Sequence, residues 1–182
     1  MSGKKSVAIV DFDDTLFFVR RCVEAASIEV IGHRLSRSQL RKLRPKELRG
    51  RTYDVAFSKY ADLSVPNSEL IGMLSKWKDS GISILILTAR PAKIKRETMM
   101  LLRKYRVPFH RIIFRENELA YGRDEEWKLG KLNGLADKYD SVTVYEDKRD
   151  NIAYFRHGVA NPEKFRFVEV KEKRGIQLGR FT

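Results

Sequence analysis

The segment Val7-Ala8-Ile9-Val10-Asp11-Phe12-Asp13-Asp14-Thr15-Leu16 constrains the fold of this chain more than any other. A short apolar run rich in β-branched residues reads as a buried strand of a parallel sheet. This one ends abruptly in three carboxylates and a threonine. In open α/β sheets, ligands collect beyond the carboxyl ends of the strands. Acids placed there converge, and Asp11 and Asp13 then repel one another while losing hydration. A hard cation such as Mg²⁺, which prefers a few carboxylate oxygens plus water, removes that conflict. The same residues also suit a polar turn after a strand, with Asp14 or Thr15 capping a helix. The segment alone leaves both readings open.

The rest of the chain repeats the strand–helix alternation. Phe17 to about His33 reads as a helix. From Ser68, the residues Leu70, Ile71, Met73, Leu74 and Trp77 supply a helical apolar face that Gly81 terminates. Ile82–Leu87 is a second buried strand, closing at Thr88-Ala89-Arg90-Pro91. A helix over Pro91–Arg106, a strand at Arg111–Phe114, a helix at Glu125–Lys138 and a strand at Ser141–Tyr145 follow. The latter strand ends in Glu146-Asp147. A helix over Asp150–Arg156 and a last strand over Phe165–Val170 complete a pattern that predicts an α/β fold. Its sheet is doubly wound and mostly parallel, with helices on both faces.

Between the first strand and Ser68 lies an insertion, 20–66, of different character. Its stretch 34–51 holds eight basic residues and one acidic residue. Leu35, Leu40, Leu43 and Leu48 supply an apolar seam on helices broken near Pro45. This predicts a helical, basic cap within a single domain spanning 1–182, with a charged tail over 171–182.

The chain carries 37 Lys and Arg against 24 Asp and Glu, a formal net charge of +13. That excess favours polyanionic partners without identifying them. No apolar run approaches the ~20 residues that span a bilayer, and the N-terminus lacks the longer apolar stretch of a signal peptide. The single cysteine, Cys22, fits a reducing compartment and packing in a helix. The expected location is therefore cytoplasmic, with no membrane partner. His33, His110 and His157 fall outside the strand ends and read as structural or surface residues.

Three strand ends thus carry polar residues: Asp11 with Asp13 and Thr15, Thr88 with Arg90, and Glu146 with Asp147. Lys128 and Lys131 lie between the last two. This ordered set resembles the haloacid dehalogenase (HAD) superfamily of phosphatases and phosphotransferases, over roughly 5–20 and 68–160. The resemblance implies a HAD-like, Rossmann-like fold with a cap inserted after the first strand. By the same likeness, Asp11 is the nucleophile that forms an aspartyl-phosphate, and Asp13 is the general acid and base. Thr88 contacts a phosphoryl oxygen, and Lys128 supplies positive charge. Mg²⁺ is held by Asp11, Asp147 and the backbone carbonyl of Asp13. Lys128 is preferred to Lys131 for its separation from Asp147, and Asp147 to Glu146 and Asp150, the last of which also suits an N-cap. Asp14 stands where many members have Gly.

More narrowly, Trp127-Lys128, Thr88-Ala89-Arg90 and Tyr145-Glu146-Asp147-Lys148 resemble the phosphatase domain of polynucleotide kinase/phosphatase enzymes, which remove 3′ phosphates during nucleic-acid repair. That likeness implies Arg90, Arg20 and Arg21 as substrate-side residues, suited to bidentate phosphate contact. No Gly-x-x-x-x-Gly-Lys-Ser/Thr loop occurs, so a kinase half is not expected. The expected partner is a phosphorylated DNA or RNA end. Alternatives are a small-molecule HAD phosphatase, a phosphoprotein phosphatase, and a non-catalytic nucleic-acid-binding protein on the same scaffold.

Overall fold

The computed structural model describes residues 5–116 and 123–171. The charged tail expected over 171–182 lies, beyond Lys171, outside the described residues. In chain order, β1 (Ser6–Val10) and a two-residue strand β2 (Phe17–Phe18) precede helices α1 (Arg20–Ile31), α2 (Arg37–Lys42) and α3 (Lys46–Phe57). A second two-residue strand, β3 (Val65–Pro66), leads to α4 (Ser68–Asp79), β4 (Ser83–Pro91), α5 (Lys95–Lys104) and β5 (Arg111–Arg115). Then come α6 (Asp124–Ala136), β6 (Ser141–Glu146), α7 (Arg149–Gly158) and β7 (Phe165–Glu169).

The main sheet has the order β5-β4-β1-β6-β7, with every pairing parallel. The unbroken apolar run Val7–Val10 follows from that position: β1 is central, and its residues are buried on both faces. One core lies on each side of the sheet. Val10, Phe12, Leu74, Ile84, Ile86 and Leu101 belong to one, and Ile9, Leu85, Leu132, Val144 and Phe155 to the other. The chain runs outward from β1 through β4 to β5, then crosses back to β6 and outward again to β7. The order therefore reverses beside β1, and that reversal opens a crevice at the strand ends where such sheets bind ligands.

Helices α1 to α3 form the basic helical insertion. Val19, Cys22, Val23, Ala26, Leu40 and Ala56 build its own apolar cluster, which also takes in Ile94. Leu40 is fully buried, so the leucine seam packs inward while Arg41 faces out. Cys22 is buried, its Sγ 3.2 Å from Ser64 Oγ. Among the described residues no helix is long and apolar enough to cross a membrane.

Two local expectations are corrected. Phe17 and Phe18 do not open a helix; they pair antiparallel with Val65 and Pro66. The Phe17 ring stacks on Phe12 at 4.9 Å, and its carbonyl accepts from the Asp14 N–H at 2.7 Å. Those contacts hold the segment extended, so α1 starts only at Arg20. Pro91 likewise ends β4 rather than starting α5. It pairs with Arg115 of the edge strand, and a 3₁₀ turn at Ala92–Ile94 intervenes.

Candidate active site

β1 delivers its acids to the crevice by register. Val10 sits opposite Tyr145 on one side and Ile86 on the other, so Asp11 emerges level with Glu146. The Asp11 N–H donates to the Tyr145 carbonyl at 3.0 Å, extending the ladder one residue past the strand. Beyond Asp11 the chain folds into a tight loop, in which the N–H groups of Leu16 and Phe17 both donate to Phe12 O, at 3.0 and 2.9 Å. Asn67 fastens that loop to α4: its side chain donates to Thr15 O at 3.0 Å and accepts from Leu70 N–H at 3.2 Å.

Lys128, on α6, reaches under the strand ends. Its ammonium lies 2.7 Å from Asp11 Oδ1 and 2.6 Å from Glu146 Oε2, with all three side chains buried. Burial opposes the charge on Lys128, but the two carboxylates outweigh it and hold the amine protonated. Glu146 is also disfavoured by burial; Lys128 more than offsets this and keeps its carboxyl below the ordinary range. Asp11 goes the other way. Burial, with Glu146 and Asp13 adding to it against Lys128, pushes it up to about 7. Lys131 turns outward, 3.9 Å from Glu116 and over the Trp127 ring. The structure thus brings Lys128 to Asp11 and leaves Lys131 outside.

Asp13 is gripped by Arg90. The guanidinium donates through Nη2 to Oδ1 at 2.8 Å and through Nε to both oxygens at 3.1 and 3.3 Å. Nη1 donates to Thr98 Oγ1 at 3.1 Å, and the two faces of the guanidinium stack on Phe12 and Phe57, with centroids 4.3 and 4.2 Å away. Burial alone would raise the Asp13 carboxyl, but Arg90 and Arg37 outweigh it and hold it below the usual range. The side chain of Arg90 has no exposed surface. In this structure its guanidinium is committed to Asp13 and Thr98, where it supports the acid loop from inside the protein. Thr88 is buried beside it, its hydroxyl oxygen accepting from Arg90 N–H at 3.2 Å.

Among the described residues, three buried side-chain polar atoms have no hydrogen-bond partner: Thr15 Oγ1, Arg37 Nε and Asp147 Oδ1. All three belong to the acid loop or face it. Unsatisfied buried groups are scarce in folded proteins, and they gather where a ligand supplies the missing partner. Asp147 meets this description most directly. Burial first, and then Asp11 and Glu146, push its carboxyl up to about 8. Asp11, Glu146 and Asp147 each offer an oxygen, all within 4.8 Å of one another. Hard oxygen donors crowded without enough counter-charge fit a divalent cation such as Mg²⁺. The Asp13 carboxylate is not part of that cluster; it is paired with Arg90. Asp150 is outside that three-acid cluster; it lies in the first turn of α7 and lines the cavity next to the site.

Above Asp13 opens a cavity of about 520 Å³. The insertion contributes Arg37, Arg41, Arg49, Tyr53 and Phe57 to its wall; the sheet side contributes Arg115, Lys148 and Tyr154. Arg37 pairs with Asp14, which also caps the Val19 N–H at 3.1 Å. Lys148 is pushed down, by burial first and then by Arg37 and Arg41 nearby. Arg20 and Arg21 are not on this wall: both are exposed, and Arg20 pairs with Glu24 at 2.8 Å one helical turn on. The expectation that they face substrate is not met, because the start of α1 points its charges to solvent. Arg37 and Arg41 are the arginines that α2 places on the cavity wall. Their i, i+4 spacing puts them on one face of α2, a signal present in the basic stretch but hidden among its eight cations.

His110 is structural, its Nδ1 accepting from the Ile84 N–H at 2.9 Å, while His33 and His157 are exposed.

No protein-family model matches this sequence, and no curated protein matches it. Solved structures do. A chain of the Pnkp1/Rnl/Hen1 RNA repair complex is 18% identical with a TM-score of 0.62, over 94% of this chain and 44% of that one. This chain therefore spans less than half the length of that neighbour. A HAD-superfamily hydrolase, subfamily IA, from Geobacter sulfurreducens is 14% identical with a TM-score of 0.59, over 91% of this chain and 89% of that one. Protein Tyrosine Kinase A of Mycobacterium tuberculosis is 13% identical with a TM-score of 0.66, over 100% and 92% of the respective chains. One architecture here serves unlike activities, so the likeness establishes fold and leaves chemistry to the site. The chain carries the fold of the haloacid dehalogenase superfamily.

Proposed function

We propose that this protein is a Mg²⁺-dependent phosphomonoester hydrolase that works through an aspartyl-phosphate on Asp11 and removes a terminal 3′ phosphate from a DNA or RNA end. The observation that carries the reading is the setting of buried Asp11, with the ammonium of Lys128 at 2.7 Å and an oxygen of Asp147, whose Oδ1 has no partner, within 4.8 Å. Asp11, Asp147 and Glu146 are the side chains that would hold the metal, with the Asp13 carbonyl as a further ligand. Mg²⁺ bound there supplies charge neutralisation for a phosphoryl group.

The protein's own groups do the rest. A phosphate monoester repels nucleophiles, so its charge must be compensated before attack. Lys128 provides a fixed cation, and the hydroxyls of Thr88 and Thr15 are free to donate to phosphoryl oxygens. A carboxylate oxygen of Asp11 attacks phosphorus as the ester P–O bond breaks, and Asp13 delivers a proton to the departing oxygen. Arg90 holds Asp13 ionised in the free protein, and an arriving phosphate dianion raises its proton affinity. Asp13 then takes a proton from water, which attacks the aspartyl-phosphate and releases phosphate and the Asp11 carboxylate.

The nucleic-acid substrate is supported by the +13 charge, the arginine-lined cavity over Asp13, and the likeness to a chain of an RNA repair complex. The size of the cavity, about 520 Å³, favours a second reading, a phosphatase of free nucleotides. With Mg²⁺ the protein should hydrolyse p-nitrophenyl phosphate, and Asp11→Asn should abolish this while leaving the fold intact. Activity that survives Asp11→Asn would sink the mechanism. Rates on 3′-phosphorylated and 5′-phosphorylated oligonucleotides and on free mononucleotides, at low and moderate salt, separate the substrates. Equal rates on mononucleotides without a salt effect would favour the small-molecule reading.

A further inference from the structure

We infer that the cavity holds a second phosphate, gripped by Arg41 and Lys148, so that the preferred substrate carries a phosphate one nucleoside away from the phosphate that is cleaved. This rests on the hydrolase reading above and specifies what that site accepts.

The cations on the cavity wall divide into two groups. Arg90 pairs with Asp13, Arg37 with Asp14 through Nη1, Arg115 with Asp124 and Arg123 with Glu126, and Arg49 donates to the Arg41 carbonyl. Arg41 and Lys148 form no ion pair among the described residues, although both line the same cavity. They come from different parts of the chain, Arg41 from the last turn of α2 and Lys148 from the loop after β6. Packing helices against a sheet does not require two unpaired cations to meet across a hollow.

Their placement is also built. Arg49, on α3, donates through Nη1 to the Arg41 carbonyl at 2.7 Å, which fixes the end of α2 over the cavity. Leu40, the preceding residue, is fully buried and anchors the helix from below. Lys148 immediately follows the acid pair that ends β6, so its backbone is tied to the reaction centre. An anion lying between Arg41 and Lys148 would thus sit at a set distance from Asp11.

The volume suits this occupant. Cavities of roughly 300–1,000 Å³ take nucleotide-sized ligands, and this one measures about 520 Å³. A bare phosphate or a phosphosugar would leave much of it unfilled. A nucleoside bridging two phosphates fills it, with Tyr53 and Tyr154 on the wall beside sugar and base. Charge-assisted contacts to phosphate are among the stronger polar contacts.

The test compares kcat/KM for a nucleoside 3′,5′-bisphosphate, the matching nucleoside 3′-monophosphate and p-nitrophenyl phosphate, with Mg²⁺ at low salt. The bisphosphate should lead the monophosphate by about tenfold or more. Arg41→Ala and Lys148→Ala should each bring that ratio close to one, while Arg103→Ala, which removes an exposed charge on α5, should leave it unchanged. Arg41 is exposed, so its loss does not threaten folding. Equal rates on the two nucleotides, with p-nitrophenyl phosphate still hydrolysed, would overturn the second site and spare the hydrolase reading. A preference that persists in both variants would also overturn it. Hydrolysis of none of the three would overturn the hydrolase reading and this inference together.

Discussion

Arg90 donates three hydrogen bonds to the two carboxylate oxygens of Asp13 across 77 residues of sequence, from a guanidinium stacked between Phe12 and Phe57. Phe57 belongs to the helical insertion and Phe12 to the acid loop, so one buried side chain joins insertion, sheet and candidate acid/base. Removing one partner of a buried ion pair leaves the other charge uncompensated, at a cost of about 3–5 kcal/mol. Arg90→Ala should therefore lower the urea unfolding free energy by that order. Arg90→Lys should recover only part of it, since an ammonium cannot reproduce the fork or the stacking. A loss below about 1 kcal/mol for Arg90→Ala, the range of an exposed pair, would refute the structural role.

Lys128 serves Asp11 and Glu146 at once, and its replacement tests whether those charges depend on it. In metal-free buffer, Lys128→Met should destabilise by about 3–5 kcal/mol, because two buried carboxylates lose their shared cation. The deficit should be larger at pH 8 than at pH 5, where protonation can relieve the repulsion. Lys131→Ala should stay within about 0.5 kcal/mol of the parent protein. Chemical denaturation of both variants at the two pH values decides it. Equal losses for the two lysines would remove Lys128 from the centre.

The strand ends were the most legible part of this sequence, and the reason is geometric. A buried parallel strand needs a continuous apolar run, so Val7–Val10 and Ile84–Leu87 announce themselves and locate Asp11 and Thr88 within a residue or two. The partnership of Lys128 with Asp11 followed from a resemblance in spacing. The committed state of Arg90 could not be read, because it depends on Phe57, a residue of the insertion that no local pattern places over the sheet. The pairing of Phe17 with Pro66 was hidden for a similar reason: a two-residue strand has no periodicity. Lys148 was visible only as a neighbour of the acid pair, and its relation to Arg41 exists only after α2 has folded across the cavity.

Asp14 offers a test of the link between the acid loop and the insertion. It adopts a left-handed conformation, φ 64°, which a non-glycine residue reaches at a cost of about 1–2 kcal/mol. Its carboxylate offsets this by capping Val19 N–H and pairing with Arg37. Asp14→Gly loses those contacts but relaxes the backbone; Asp14→Ala loses the contacts and keeps the strain. Asp14→Ala should therefore be the less stable variant by about 1 kcal/mol. Thermal unfolding in parallel checks this, and identical melting temperatures would mean that the turn relaxes once the side chain is gone.

The acids around the proposed metal position make stability depend on pH in a direction opposite to most carboxylates. Asp147 rises from an ordinary value of 3.8 to about 8, through burial first and then through Asp11 and Glu146. Between those two values the folded protein keeps a proton that the unfolded chain has released. Stability from this group is thus fully present below about pH 4 and drains away as pH rises toward 8. Asn at the same position does not titrate. In chelator, the melting temperature of Asp147→Asn should exceed that of the parent protein by a margin that widens from pH 4 to pH 8. Saturating Mg²⁺ should reverse the order at pH 8, since ligand binding stabilises the folded state and the parent protein retains the fuller set of oxygen donors. A margin that stays flat across the pH range in chelator would show that Asp147 is not held against its charge. A margin that widens but does not respond to Mg²⁺ would show that the strain is real and that the metal is not what relieves it.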